Sequence, residues 1–368
     1  MPNEFGPEVA AFPVVAEFQI RRRGYLSPNG EVDGPLPRFA VDAATLIPLY
    51  RSMLLLRSVD AKAVALQRTG RLGTYGVALG QEAVLIGTAS AMASRDILFP
   101  TYRENGALIW RGVTISEILT YWGGDERGSN FQGPREDFPI CITIGSQAAH
   151  AVGAAYAFKF KRQNRVAVCL MGDGATSKGD VYEAWNMAAL HKLPVVFVVN
   201  NNQWAISVPL KLQTAAATLA QKAIASGMPC EQVDGNDVIA VRASVDEAIA
   251  RARTGQGPSL IEALTYRLGD HTTADDARRY RSDEEVKAHW QEEPIARLKK
   301  YLVAQGVWSK ADEEGLIADC QRQIEEGVQS YQSLPPRTPA SMFDHLYAEL
   351  PAALQRQQDQ LREGSINV

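Results

Sequence analysis

Two short apolar runs, each ending in a polar cluster, constrain this chain more than anything else in it. "VAVCLM" spans residues 166–171 and runs into Gly172-Asp173-Gly174. "PVVFVV" spans residues 194–199 and runs into Asn200-Asn201-Asn202. Runs of this length without apolar–polar alternation fit strands buried on both faces, as in a parallel sheet. Between them, "DVYEAWNMAALHKL" has helical spacing. Further on, "TLAQKAIASGM" predicts a helix, "CEQVDG" a short strand, "SVDEAIARARTGQG" a glycine-stopped helix and "PSLIEALTYR" a third long strand. Strands alternating with helices predict an α/β fold, a doubly wound parallel sheet with helices on both faces.

The flanking segments divide the chain into three. Residues 1–40 are rich in Pro and Gly and read as an N-terminal arm, with Arg21-Arg22-Arg23 as a solvated surface feature or a partner contact. Residues 41–282 form the α/β domain. Asp42 caps a helix running to about Thr69, Gly70 stops it, and a second helix starts near Gln81. The polar stretch at 128–139 is a loop, and "SQAAHAVGAAYAFKF" is a helix of small residues suited to deep packing or an interface. Residues 283–368 form a helical extension, with Ser282/Glu285 and Ser309/Asp312 in capping-box spacing.

Bulk properties remove several function classes. A net charge of −4 argues against a nucleic-acid surface. No signal-like N-terminus and no run of 18 apolar residues is present, which argues against a membrane and for the cytoplasm. The four cysteines are far apart in sequence, so no CxxC pair exists, and a reducing compartment fits.

In a parallel sheet, ligands sit beyond the carboxyl ends of the strands. Asp173 and Asn202 occupy that position after neighbouring or near-neighbouring strands. One carboxylate with amide or carbonyl oxygens is hard-oxygen chemistry suited to Mg²⁺ shared with substrate phosphates. The glycines let backbone N–H groups approach a diphosphate. The rival reading is a turn with no ligand. No GxxxxGK[ST] loop is present, and the glycines at 172, 174 and 179 do not have GxGxxG spacing.

GDG, a helix and a strand ending in NN, about thirty residues in all, is the thiamine-diphosphate signature. "GDGATSKGDVYEAWNMAALHKLPVVFVVNNNQWAIS" resembles the alpha subunit of the decarboxylating component of two-alpha, two-beta 2-oxo acid dehydrogenase complexes, the pyruvate and branched-chain enzymes. "GQEA", "YRENG", "VDGNDV", "YRLGDHTTADDARRYRS" and "LPAALQRQQ" extend the likeness from about residue 40 to about residue 360. The resemblance implies the thiamine-diphosphate-binding fold, with Mg²⁺ held by Asp173, Asn202 and the carbonyl of Trp204. It places Gly172, Gly174 and Ala175 against the diphosphate, Tyr102 and Arg103 on its oxygens, and Ile144 as the wedge that bends the cofactor.

Of five histidines, His271 stands apart. It lies in the polar loop "GDHTTADDARRYR" after a strand's carboxyl end, where a segment can cover a cleft. A metal site of Asp270, His271, Asp275 and Asp276 is the weaker alternative. The resemblance implies that His271 serves acyl transfer to a lipoyl group and that Arg267 orders the loop or the phosphate. Thr272 stands where animal relatives carry a regulatory serine. Asn200 replaces a charged residue of relatives, and the 128–139 loop lacks their Met-rich motif.

The resemblance further implies a beta-subunit partner that supplies the activating glutamate, a lipoyl acyltransferase, and a small 2-oxo acid substrate. Glu82, Glu104 and Glu183 match other family positions, so the chain is expected to be inactive alone. Pyruvate is favoured, branched-chain oxo acids come next, and an acetoin-type dehydrogenase or a non-catalytic scaffold subunit remain the alternatives.

Overall fold

The computed structural model describes residues 13–364; the first residues of the expected arm lie outside it. Among the described residues eight strands occur: β1 (Arg22–Arg23), β2 (Ile97–Phe99), β3 (Ala167–Gly172), β4 (Val195–Asn201), β5 (Trp204–Ala205), β6 (Val208–Pro209), β7 (Cys230–Asp234) and β8 (Ser259–Leu264). Six make one sheet in the order β1-β7-β8-β4-β3-β2, with every pairing parallel. β5 and β6 form a separate antiparallel hairpin.

Helices cover both faces of the sheet. They are α1 (Ile47–Arg68), α2 (Glu82–Ala91), α3 (Asn105–Trp110), α4 (Ile115–Trp122), α5 (Ser146–Phe160), α6 (Gly179–Leu190), α7 (Leu210–Gln213), α8 (Val238–Arg253), α9 (Asp283–His289), α10 (Pro294–Ala304), α11 (Lys310–Gln332) and α12 (Ala352–Gly364). Strand pleating sends alternate side chains to opposite cores. Val168, Leu170, Val196 and Val198 pack with Leu85 of α2 and Val245 of α8. Cys169, Met171, Phe197 and Val199 pack with Val152 of α5 and Trp185 of α6. Every residue of β4 is buried, which explains an apolar run with no polar interruption. α10 and α11 cover α1 on its far side, with Leu298, Leu302 and Leu316 against Leu49 and Met53.

The structure departs from the sequence expectations at four places. Asp42 caps a short 3₁₀ turn, Ala43–Leu46, that leads into α1, not the α-helix itself. "TLAQKAIASGM" forms a 3₁₀ segment, Ala220–Ser226, held at its start by the buried Glu262, whose Oε2 accepts from Ala220 N at 3.0 Å. α8 begins six residues before the expected serine because Asp237 caps it, accepting from the N–H groups of Ile239 and Ala240. The other Asp237 oxygen accepts from the N–H groups of Tyr25 and Leu26 and ties the arm to the domain. Finally, Arg22–Arg23 is the sheet's edge strand, and Arg23 pairs with Glu231 and Glu247. The β2 edge strand carried too short an apolar run to be read from sequence.

Ser309 and Asp312 form a reciprocal capping box at α11. Ser282 caps α9, but Glu285 accepts from the Tyr266 hydroxyl at 2.8 Å.

Candidate active site

β3 and β4 are direct neighbours, with Gly172 opposite Asn200. Their carboxyl ends therefore open side by side, and the polar clusters meet there. A cavity of about 970 Å³ lies against them. Its walls include Tyr102, Arg103, Ile144, Gly172, Asp173, Gly174, Ala175, Asn202, Trp204 and His271. Ten of the eleven expected site residues thus come together although they lie as far apart in sequence as Tyr102 and His271. Arg267 is the exception and lies behind the wall.

Asp173 is buried at the end of β3. Burial raises its carboxyl above the usual range, against the Gln213 hydrogen bond. Gln213 donates Nε2 to its Oδ2 at 2.8 Å. Among the described residues no cation lies within salt-bridge distance of it. Gly174 leaves no room for a side chain, since an added Cβ would sit 2.9 Å from the Cβ of Ala205 in the hairpin.

The asparagine cluster divides by strand alternation. Asn201 turns one way and donates Nδ2 to Glu262 Oε1 at 2.7 Å. Asn200 and Asn202 turn the other way, and both donate Nδ2 to Gln81 Oε1, at 3.0 and 2.9 Å. Asn200 also accepts from the Thr265 hydroxyl at 2.9 Å, so each end of its amide has a partner inside the protein.

The chain then folds back through the β5–β6 hairpin. Ile206, at its turn, has φ of 56°, an outlier for a β-branched residue. Arg267 holds this turn, donating Nη2 to the Ile206 carbonyl at 2.7 Å, while Nη1 reaches the Trp204 carbonyl at 3.5 Å. Its guanidinium is almost wholly buried, and burial lowers its pKa to about 10.

His271 is fixed from three sides. Arg103 Nη2 donates to its carbonyl at 2.9 Å and lies 3.3 Å from Nδ1. Asp275 Oδ2 accepts from its N–H at 2.9 Å. Tyr102 meets its ring edge-on with centroids 5.9 Å apart. Burial, then Arg103, then Arg267 lower its pKa to about 4. At neutral pH the ring is uncharged. A guanidinium only donates, so Nδ1 is assigned as acceptor and Nε2 carries the proton.

Sequence reasoning missed the framework behind these residues. Tyr280 accepts from Arg267 Nη2 at 2.7 Å and donates to Asp275. Arg281 donates to the carbonyls of Arg267, Leu268 and Gly269. Both sit in the quoted "RRYRS", but sequence alone did not single them out. Gln81 and Gln147 also line the cavity, and each has one buried polar atom without a hydrogen-bond partner among the described residues: Nε2 of Gln81 and Oε1 of Gln147.

Glu82 and Glu104 are buried inside protein contacts. Glu82 pairs with Arg57 at 2.8 Å and accepts from Gly80 N, and Glu104 accepts from Thr101. Glu183 is exposed on α6. Among the described residues no group of three or more His, Cys, Asp or Glu is gathered to hold a metal. Of the cavity's carboxylates, Asp173 stands at the end of β3 beside Asn202, while Glu104 is bonded to Thr101 and Asp125 to Arg127. Among the described residues, no helix is long and apolar enough to cross a membrane.

The profile of the family described as "Dehydrogenase E1 component" matches residues 50–340. The chain is 46% identical over 318 residues to the 3-methyl-2-oxobutanoate dehydrogenase subunit alpha of Mycobacterium tuberculosis (strain ATCC 25618 / H37Rv), covering 86% of this chain and 87% of that protein. It is 41% identical over 334 residues to the pyruvate dehydrogenase E1 component subunit alpha of Acholeplasma laidlawii, covering 90% and 97%. It is 38% identical over 320 residues to the corresponding subunit of Staphylococcus epidermidis (strain ATCC 12228 / FDA PCI 1200), covering 86% of each. With the family profile spanning most of the chain and relatives of this identity matched along nearly their whole length, the protein belongs to the dehydrogenase E1 component family.

Proposed function

We propose that this chain is the alpha subunit of a thiamine-diphosphate-dependent 2-oxo acid dehydrogenase. The observation that carries the reading is the meeting of Asp173, Asn202 and Trp204 with Arg103 and His271 around one cavity at the strands' carboxyl ends. These residues fit a Mg²⁺-diphosphate group. Asp173 is a buried carboxylate with a neutral amide as its side-chain partner, and Gln81 has a buried N–H without one. Both arrangements are costly until a cation and an anion arrive.

Asp173, the Asn202 amide oxygen and the Trp204 carbonyl would hold the cation, an oxygen set that suits Mg²⁺. Tyr102 and Arg103 would hold phosphate oxygens, Arg103 through the N–H groups left over from its bonds to the Val77 and His271 carbonyls. Gly172, Gly174 and Ala175 would lie against the diphosphate, and Ile144, on the same cavity wall, would support the cofactor's ring system. When bound, the cofactor supplies the electron sink for decarboxylation.

The protein's own residues handle orientation and protons. His271, neutral at physiological pH, donates from Nε2 to negative charge that develops on the substrate or the acyl group. Arg267 acts through the hairpin, fixing the Trp204–Ile206 backbone. The substrate is a short aliphatic 2-oxo acid, pyruvate or a branched-chain homologue, and the acyl group passes to a lipoyl acyltransferase. The activating carboxylic acid comes from a beta subunit, consistent with the internal engagement of Glu82 and Glu104.

The test is oxo-acid-dependent dye reduction by the chain co-purified with its beta partner, with Mg²⁺ and thiamine diphosphate. Pyruvate, 3-methyl-2-oxobutanoate and acetoin are run in parallel, with Asp173→Ala as control. Turnover of an oxo acid that vanishes in the variant supports the reading and names the substrate. Turnover of acetoin alone overturns the oxo-acid assignment.

A further inference from the structure

Gln81 is wholly buried at the start of α2 and lines the cavity, yet neither its chemistry nor its position is used by any contact to the sheet other than through the two asparagines. The direction of its amide is fixed by a chain of donors. Trp204 N donates to Asn202 Oδ1 at 3.2 Å, and a backbone N–H can only donate. Asn202 must therefore turn its NH₂ toward Gln81, and the atom that receives it must be Oε1. Asn200 then also turns its NH₂ to Gln81 Oε1, and its oxygen accepts from the Thr265 hydroxyl, which is free to donate. The remaining Gln81 atom, Nε2, is then a donor with no partner among the described residues.

We propose that Gln81 is a cofactor-site residue with two separable roles. Its Oε1 is the positioning atom that holds the Asn202 amide, whose oxygen accepts from Trp204 N–H and keeps its second lone pair for the divalent cation. Its Nε2 donates to the anionic phosphate part of the ligand. This inference rests on the Mg²⁺-diphosphate reading of the cavity. In this chain Asn200 brings no charge and bonds Gln81 and Thr265, and Gln81 supplies a neutral donor at that end of the site.

Two substitutions separate the roles. Gln81→Glu keeps an acceptor for both asparagines and turns the free donor into an acceptor. Gln81→Met removes both. Binding of thiamine diphosphate with Mg²⁺ to the assembled alpha–beta complex is followed by calorimetry and by tryptophan fluorescence, since Trp204 borders the site. Mg²⁺ dependence is titrated separately at fixed thiamine diphosphate. Loss of one hydrogen bond to a charged group predicts a fall in cofactor affinity of roughly 10- to 100-fold for Gln81→Glu. Its half-saturating Mg²⁺ stays within about threefold of the parent, while Gln81→Met raises that value at least tenfold (both roughly scaled from one buried hydrogen bond). Folding of each variant is checked by the unchanged assembly with the beta chain.

Parent-like affinity in both variants overturns the proposal, as does an equal Mg²⁺ shift in both. Asp173→Ala separates this from a failure of the underlying reading. If Asp173→Ala abolishes binding while the Gln81 variants bind normally, the clamp stands and the role of Gln81 falls. If the parent complex binds no thiamine diphosphate, both fall together.

Discussion

Replacing Arg281 by alanine should release the His271 loop without unfolding the sheet. Arg281 is buried, and its guanidinium donates to three successive carbonyls, those of Arg267, Leu268 (3.1 Å) and Gly269 (2.6 Å). These residues carry the chain from the end of β8 to His271. It also lies over the Tyr266 ring, 5.6 Å from the centroid. A hydrogen bond from a charged donor contributes about 1.5–3 kcal/mol, and a buried acceptor left alone costs about 1–3 kcal/mol. The three bonds act as a unit, and water can enter the space left by the side chain. The net loss is therefore about 3–4 kcal/mol rather than the sum. That corresponds to more than roughly 100-fold in the local opening equilibrium. Hydrogen exchange read by mass spectrometry should show this acceleration in peptides covering 265–282, with little change in β3 and β4. Arg281→Lys, with fewer donors and no fork, should fall between the two. Exchange that is unchanged in 265–282, or accelerated equally throughout the chain, would refute the claim that Arg281 moors this loop.

Other consequences follow from single residues. The depressed His271 pKa means that the unfolded chain binds a proton below about 6.5, whereas the folded chain does so only near 4. Stability should therefore be full above the unfolded value and fall as pH drops through this window. Partial exposure of the ring limits the effect to about 1–2 kcal/mol. Comparing urea midpoints of the parent and His271→Gln at pH values across that window should show the variant losing less; parallel curves would contradict the assignment. Gly174→Ala places a Cβ 2.9 Å from that of Ala205, so the hairpin must shift. Thiamine-diphosphate affinity should fall while the far-ultraviolet circular dichroism stays unchanged. Ile206→Asn keeps the left-handed backbone with a residue that tolerates it, and should raise the melting temperature by relieving about 1 kcal/mol.

The parts legible in the sequence are those set by local pattern. Unbroken apolar runs at 166–171 and 194–199 mark buried strands because both faces of β3 and β4 are covered. The polar clusters that follow mark the carboxyl ends, and the structure brings them together in one cavity. What stayed hidden depends on partners far away in sequence. Gln81 meets Asn200 and Asn202 only once α2 packs beside β4, about 120 positions on. Arg22–Arg23 reads as a charged surface run, yet it pairs with β7 because Glu231 and Glu247 neutralise Arg23 there. Asp237 is one acid among many until its two oxygens are seen to cap α8 and bind the arm. The 3₁₀ form of Ala220–Ser226 has a similar origin, since its start is held by Glu262 in a different element.

The most direct test of the account is a crystal structure of the assembled alpha–beta complex with thiamine diphosphate and Mn²⁺ in place of Mg²⁺, using the anomalous signal to locate the metal. The account predicts one strong peak bounded by the Asp173 carboxylate, the Asn202 amide oxygen and the Trp204 carbonyl, with the diphosphate between it and Arg103. A peak at any other place, or a fully occupied cofactor with no metal at Asp173, would contradict it.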